Sequence, residues 1–191
     1  MVDQEHVCYN KFIEGVESYE GFTKKLSEEN NTKVKGSYFE MYSTKLLQMY
    51  PEMNFKFVNR LKDVSKEVIK YLNIPYEDYG IDIIAQDNND KYYAIQAKFL
   101  SNISQSISFK NISTFMALSG ISKKFDYLIL ITSTKYVTSR IKDEPHIKLI
   151  THNELIKYDL FKPDTIKPDA IKPDAIKPDA IKPDAINPDA I

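Results

Sequence analysis

Asp82 sits inside an otherwise apolar run, Gly80-Ile81-Asp82-Ile83-Ile84-Ala85. Gln96 and Lys98 interrupt a second such run, Ala94-Ile95-Gln96-Ala97-Lys98-Phe99. A charge in a strand of this kind is disfavoured unless something binds it. Gln96 and Lys98 are two apart, so in a strand they share a face, and Tyr93, Ile95, Ala97 and Phe99 take the other face and the core. The pattern is an aspartate followed, after thirteen residues, by Gln-x-Lys.

Those residue types suit phosphodiester hydrolysis. A carboxylate from Asp82 and an amide oxygen from Gln96 can hold Mg²⁺, or Mn²⁺ in its place, as a hard cation that wants oxygen ligands and keeps some waters. Such an ion polarises a phosphoryl oxygen and lowers the pKa of a bound water. Lys98 can orient that water or offset charge in the transition state. By spacing alone the competing reading stays open, with Asp82 a strand-end carboxylate and Lys98 a solvated edge lysine.

The two runs must be strands for this to work. GIDIIAQ and KYYAIQAKF are joined by the turn formers Asp87-Asn88-Asn89-Asp90, which predicts a hairpin. A turn centred on Asn89 sets Asp82 opposite Gln96 on a shared face. A turn centred between Asn88 and Asn89 turns Asp82 away, and a bulge would then be needed.

Around the hairpin, residues 9–29 read as one or two short helices. Gly36 and Ser37 read as a helix start, with Glu40 three residues after Ser37 as in a capping box. That helix runs through SYFEMYSTKLLQMY to Pro51, with Phe39, Ser43, Leu46, Leu47 and Tyr50 on one face. NFKFV reads as a strand and KDVSKEVIKYLNI as a helix ending before Pro75. FKNISTFMALSG reads as a helix closed by Gly120. FDYLILITS suits a strand buried on both faces, and IKLI and HNELIKYDL add a strand and a last helix. The order predicts an α/β sandwich around a mixed sheet.

From Lys162 the chain repeats a five-residue unit, KPDTI, then KPDAI four times, then NPDAI. Proline in every unit blocks a helix or a central strand, so an extended or disordered tail is expected. Its functional alternative is a multivalent docking array with Ile as the anchor. The expected division is a helical segment at 1–33, the main domain at 34–161 and the tail at 162–191.

Bulk properties narrow the rest. The 191 residues are 42% hydrophobic with net charge -1, enough for one core and neutral as to nucleic-acid binding. A single cysteine, Cys8, and no signal-peptide pattern predict an intracellular, cytoplasmic protein, and no apolar run is long enough for a membrane span. His6, His146 and His152 show no zinc-ligand spacing, and no glycine-rich phosphate loop is present. Candidate backbone contacts are Lys110, Lys123, Lys124, Arg140 and Lys142, with Ser133, Thr134 and Lys135 at the end of the apolar strand.

The stretch GSYFE…YGIDIIA…YYAIQAKF…ISTFMALSG…FDYLILITST resembles Mrr-like restriction endonucleases of the PD-(D/E)xK superfamily. It is similar to the nuclease domains that precede helicases in type ISP restriction enzymes and in some viral helicase-like proteins. The likeness covers roughly residues 34–150, and G-I-D followed by A-I-Q-x-K-F is its most specific part. The resemblance implies a restriction-endonuclease-like fold and a viral or microbial origin. It makes Asp82 the metal-binding acid, puts Gln96 in place of the usual glutamate and Lys98 as the catalytic lysine. It also implies that Glu40 is the acid supplied by the first helix, completing the metal set. The implied activity is a Mg²⁺-dependent endonuclease acting on DNA, with a helicase or methyltransferase as partner. Cutting both strands needs two sites, which a homodimer would supply. The alternative is a catalytically inactive module that keeps the fold and binds DNA or another partner.

Overall fold

The computed structural model describes residues 4–50, 53–76 and 80–162. Three helices come first, α1 (Gln4–Ile13), α2 (Tyr19–Glu28) and α3 (Thr32–Gln48). Strand β1 (Phe55–Arg60), helix α4 (Lys66–Leu72) and the hairpin β2 (Ile83–Asp87) and β3 (Tyr92–Lys98) follow. The remainder is β4 (Ser106–Ile107), α5 (Ser113–Ser122), β5 (Tyr127–Thr132), β6 (Tyr136–Val137), α6 (Ser139–Lys142), β7 (Ile147–Ile150) and α7 (His152–Lys157). The repeat tail from Pro163 onward lies outside the described residues.

The central sheet is mixed, with order β1-β2-β3-β5-β7. β2 pairs antiparallel with β1 on one side and β3 on the other, and β3, β5 and β7 run parallel. Alternation along the strands feeds two cores. Ile95 and Ala97 of β3 and Ile129 and Ile131 of β5 face the layer of α1, α2, α3 and α7. Ala94 of β3 and Leu130 of β5 face the opposite layer, where Ile69 and Leu72 of α4, Phe115 of α5 and Ile141 of α6 pack. Each of the β5 residues Ile129, Leu130 and Ile131 is fully buried, worth about 1.5–3 kcal/mol apiece. The result is the expected α/β sandwich, and β5 is the strand buried on both faces. Among the described residues no helix is long and apolar enough to cross a membrane.

Two helix boundaries differ from the sequence expectation. α3 begins at Thr32, because the Asn31 side chain accepts the N–H groups of Lys33 and Val34 at 3.0 and 3.4 Å. Gly36 and Ser37 therefore lie inside the helix, and Ser37 caps nothing. Its hydroxyl donates to Glu5 and accepts from Arg60 Nη1 at 3.2 Å. Gly120 likewise lies inside α5, which continues to Ser122 and ends at Lys123 in the left-handed conformation, φ 52.

Candidate active site

The β2–β3 ladder pairs Ile83 with Ile95 and Gln86 with Tyr92. That is the register of a turn centred on Asn89, which Asp87 holds by accepting the N–H groups of Asn89 and Lys91, each at 2.9 Å. One step beyond the ladder, Asp82 is stitched to both neighbours. Its N–H donates to the Ile95 carbonyl at 3.0 Å, and its own carbonyl accepts from Leu61 N–H at 2.8 Å. Its carboxylate Oδ2 accepts from Ala97 N–H at 2.7 Å, which carries the side chain across to β3 between Gln96 and Lys98.

The sheet ends here, and the two helical layers part around it. The opening is a cleft of about 620 Å³ lined by Asp82, Gln96 and Lys98 from the hairpin. Glu40, Lys35 and Gly36 enter from α3, Thr114 from the first turn of α5, and Asn111 from the 3-10 turn Phe109–Ile112 just ahead of it. All four residues singled out for chemistry, Glu40, Asp82, Gln96 and Lys98, thus line one cavity although they come from a helix, a strand and the residue just ahead of β2.

Gln96 is 7% exposed, and its side-chain oxygen Oε1 is buried without a hydrogen-bond partner. A buried amide oxygen left unpaired costs about 1–3 kcal/mol. An unpaired amide oxygen beside the carboxylates of Asp82 and Glu40 is a donor set suited to one hard divalent cation that retains several waters. Among the described residues no three His, Cys, Asp or Glu side chains gather into a metal cluster. Gln96 adds a side-chain amide oxygen to the lining of the cleft beside those acids.

Ser133 and Thr134 do not serve as the surface contacts expected of them. Both are fully buried. The Ser133 hydroxyl donates to the Leu100 carbonyl at 2.9 Å and accepts Leu100 N–H at 2.7 Å. The Thr134 hydroxyl donates to the Tyr136 carbonyl at 3.2 Å. Ser133 fastens the loop after β5 to Leu100 just past β3, Thr134 closes that loop on itself, and Lys135 alone of the three is exposed. Sequence reasoning missed Gly80, Lys35, Asn111 and Thr114. The glycine immediately ahead of the Ile-Asp pair was the available signal. Gly80 has φ +112, and a Cβ there would come within 3.1 Å of the Phe115 backbone nitrogen and 3.5 Å of Gln96 Nε2.

Residues 49–162 match the family model described as Mrr_cat_2, restriction endonuclease. The match contains Asp82, Gln96 and Lys98 and begins after Glu40. A solved structure, the ATP-dependent Type ISP restriction-modification enzyme LlaBIII bound to DNA, is similar to 70% of this chain with 22% identity and a TM-score of 0.51. The chain spans only 8% of that enzyme's length, and the likeness is one of fold. No curated protein matches the chain. The family match covers well over half of the residues, and the chain belongs to the Mrr_cat_2 restriction endonuclease family.

Proposed function

We propose that the protein is a divalent-cation-dependent endonuclease that hydrolyses DNA phosphodiester bonds, with residues 34–161 as the nuclease unit. The observation that carries this reading is the convergence of Glu40, Asp82, Gln96 and Lys98 on one cleft, with the buried Gln96 oxygen unpaired. Asp82, Gln96 and Glu40 would hold Mg²⁺ or Mn²⁺, which when bound supplies Lewis-acid polarisation and an acidified water. In the reaction a water oxygen bonds to phosphorus, the bond from phosphorus to the leaving oxygen breaks, and a proton passes to that oxygen. Lys98 donates hydrogen bonds to the water or to a non-bridging oxygen as charge builds there. Ala97 N–H fixes the Asp82 carboxylate in place, so little reorganisation is needed when substrate arrives.

The LlaBIII enzyme carries its matching segment in a far longer ATP-dependent chain. A helicase or methyltransferase acting with this protein is proposed on that likeness, and a homodimer on the need for two sites to cut two strands. A second reading, an inactive DNA-binding module, is favoured by the neutral Gln96 and by the lack of a three-acid cluster among the described residues.

Supercoiled plasmid incubated with the purified full chain separates the two. Nicking is expected with Mg²⁺ or Mn²⁺ and none with EDTA. Lys98→Ala is expected to slow it about a hundredfold or more, while gel-shift binding without metal stays near wild type. Equal nicking by wild type and Lys98→Ala would remove Lys98 from the mechanism. A wild type inert towards DNA and RNA with every divalent metal hands the lead to the inactive module.

A further inference from the structure

We infer that Lys35 is a substrate-positioning residue that holds a phosphate neighbouring the scissile one on the bound strand, an inference that rests on the nuclease reading above. Lys35 lies in the first turn of α3 and lines the cleft together with Thr32, Gly36 and Glu40 of the same helix. Residues three and four apart share a helix face, so these four make one continuous wall. Gly36 adds no side chain to it, which leaves an open path from Glu40 to Lys35.

The half-buried Lys35 ammonium donates to the Ser27 carbonyl at 3.0 Å and to Ser101 Oγ at 3.5 Å. The first bond answers one of the last carbonyls of α2, which lack partners inside that helix. The second is exposed and at the outer limit of a hydrogen bond. An ammonium has three donors on a flexible stem. Capping α2 commits one of them firmly and leaves the others for a ligand in the cleft.

Charge says what that ligand is. The charged residues lining the cleft are Glu40 and Asp82 against Lys35 and Lys98, two of each sign. A divalent cation held by the acids leaves two positive charges in excess. The scissile phosphodiester carries one negative charge and balances one of them. A second phosphate balances the other, and Lys35 is placed to meet it. Lys98 stands beside Asp82 and Gln96, whereas Lys35 is five residues before Glu40, about 7.5 Å along the helix axis. Successive phosphates of one strand rise about 3.4 Å each, so that offset reaches a neighbouring phosphate and not the scissile one.

The test uses the full chain in EDTA, with fluorescein-labelled duplex oligonucleotides read by anisotropy across a salt series and a thermal melt run alongside. Lys35→Gln removes the charge and keeps an N–H donor for the Ser27 carbonyl, and Lys35→Arg keeps the charge. Lys35→Gln is expected to weaken binding alike on every sequence and to make the slope of log affinity against log salt shallower by about one. Lys35→Arg should keep the wild-type slope. A residue that only caps α2 would lower the melting temperature and leave the slope alone. Thr32→Glu guards against a Lys35→Gln that fails to fold. It sets an acid on the same wall, and its melting temperature should hold or rise because an acid in the first turn favours the helix. Its duplex binding should weaken. A Lys35→Gln slope equal to wild type overturns the inference even if plasmid is nicked, as does Thr32→Glu binding as tightly as wild type where Lys35→Gln does not fold. A shifted slope in a protein that never nicks keeps the phosphate contact and sinks the nuclease reading. A wild type that binds no duplex overturns the inference as well.

Discussion

At the scale of single residues, Gln96 is the position where the proposed site departs from an all-acid set. A neutral amide oxygen holds a cation less firmly than a carboxylate does, because ligand charge is one of the levers on affinity. Gln96→Glu is therefore expected to retain nicking and to lower the Mg²⁺ concentration for half-maximal rate on the order of tenfold. A magnesium titration of plasmid nicking measures this, and a variant that needs more Mg²⁺ than wild type would argue that Gln96 is no ligand. The two-residue spacing of Gln96 and Lys98 made their shared face legible from sequence, since strand parity is fixed by covalent geometry. The burial of Ser133 and Thr134 was not legible in the sequence, because a hydroxyl has equal use for water, phosphate or a nearby carbonyl. Only the path of the loop after β5 decides which it meets.

At the scale of elements, the strands were easier to read than the helix ends. The hairpin and β5 announce themselves by alternation and by continuous apolar residues. The start of α3 does not, because Asn31 and Ser37 are both good capping residues and only one is used. Ser37 is instead recruited into an ionic tie between α1, α3 and β1. Arg60, 3% exposed, is held by Glu5 at 3.1 Å and Asp63 at 3.3 Å, and Glu5 also binds Lys62. Burial pushes the Glu5 carboxyl up, but hydrogen bonds from Lys62, Ser37 and Arg60 outweigh it and bring the pKa from 4.5 down to about 2. A carboxyl depressed by folding adds stability that is fully present above its unfolded pKa and drains away as pH falls through the folded one. The tie should thus weaken between pH 4.5 and about 2. Glu5→Gln should lower the melting temperature at neutral pH and flatten its fall across that window. An unchanged acid profile in the variant would show that α1 is anchored some other way.

At the scale of the whole molecule, the two helical layers bring Glu40 of α3 and Thr114 of α5 to one cleft shared with the hairpin residues. α1 and α2 share the core of α3, with Tyr9, Tyr19, Phe22 and Leu26 buried against Phe39 and Tyr42. The pentapeptide tail has one isoleucine per charged, proline-bearing unit, too little apolar surface to build a core. A chain ending at Lys162 is expected to melt within a degree or two of the full chain, a shift of well under 1 kcal/mol, and to nick plasmid equally well. A large drop in melting temperature would mean that the repeats dock on the domain.

The buried, unpaired oxygen of Gln96 also has a thermodynamic meaning. Net stability of a domain is about 5–15 kcal/mol, and one orphaned acceptor takes about 1–3 kcal/mol of it. A polar acceptor at this point of the cleft is a local departure from the apolar packing of β3 around it. A cation or hydrogen-bond donor at the site would pair that oxygen, so its binding and resistance to heat would rise together. Any change that makes the empty protein more robust at Gln96 should be expected to blunt the site.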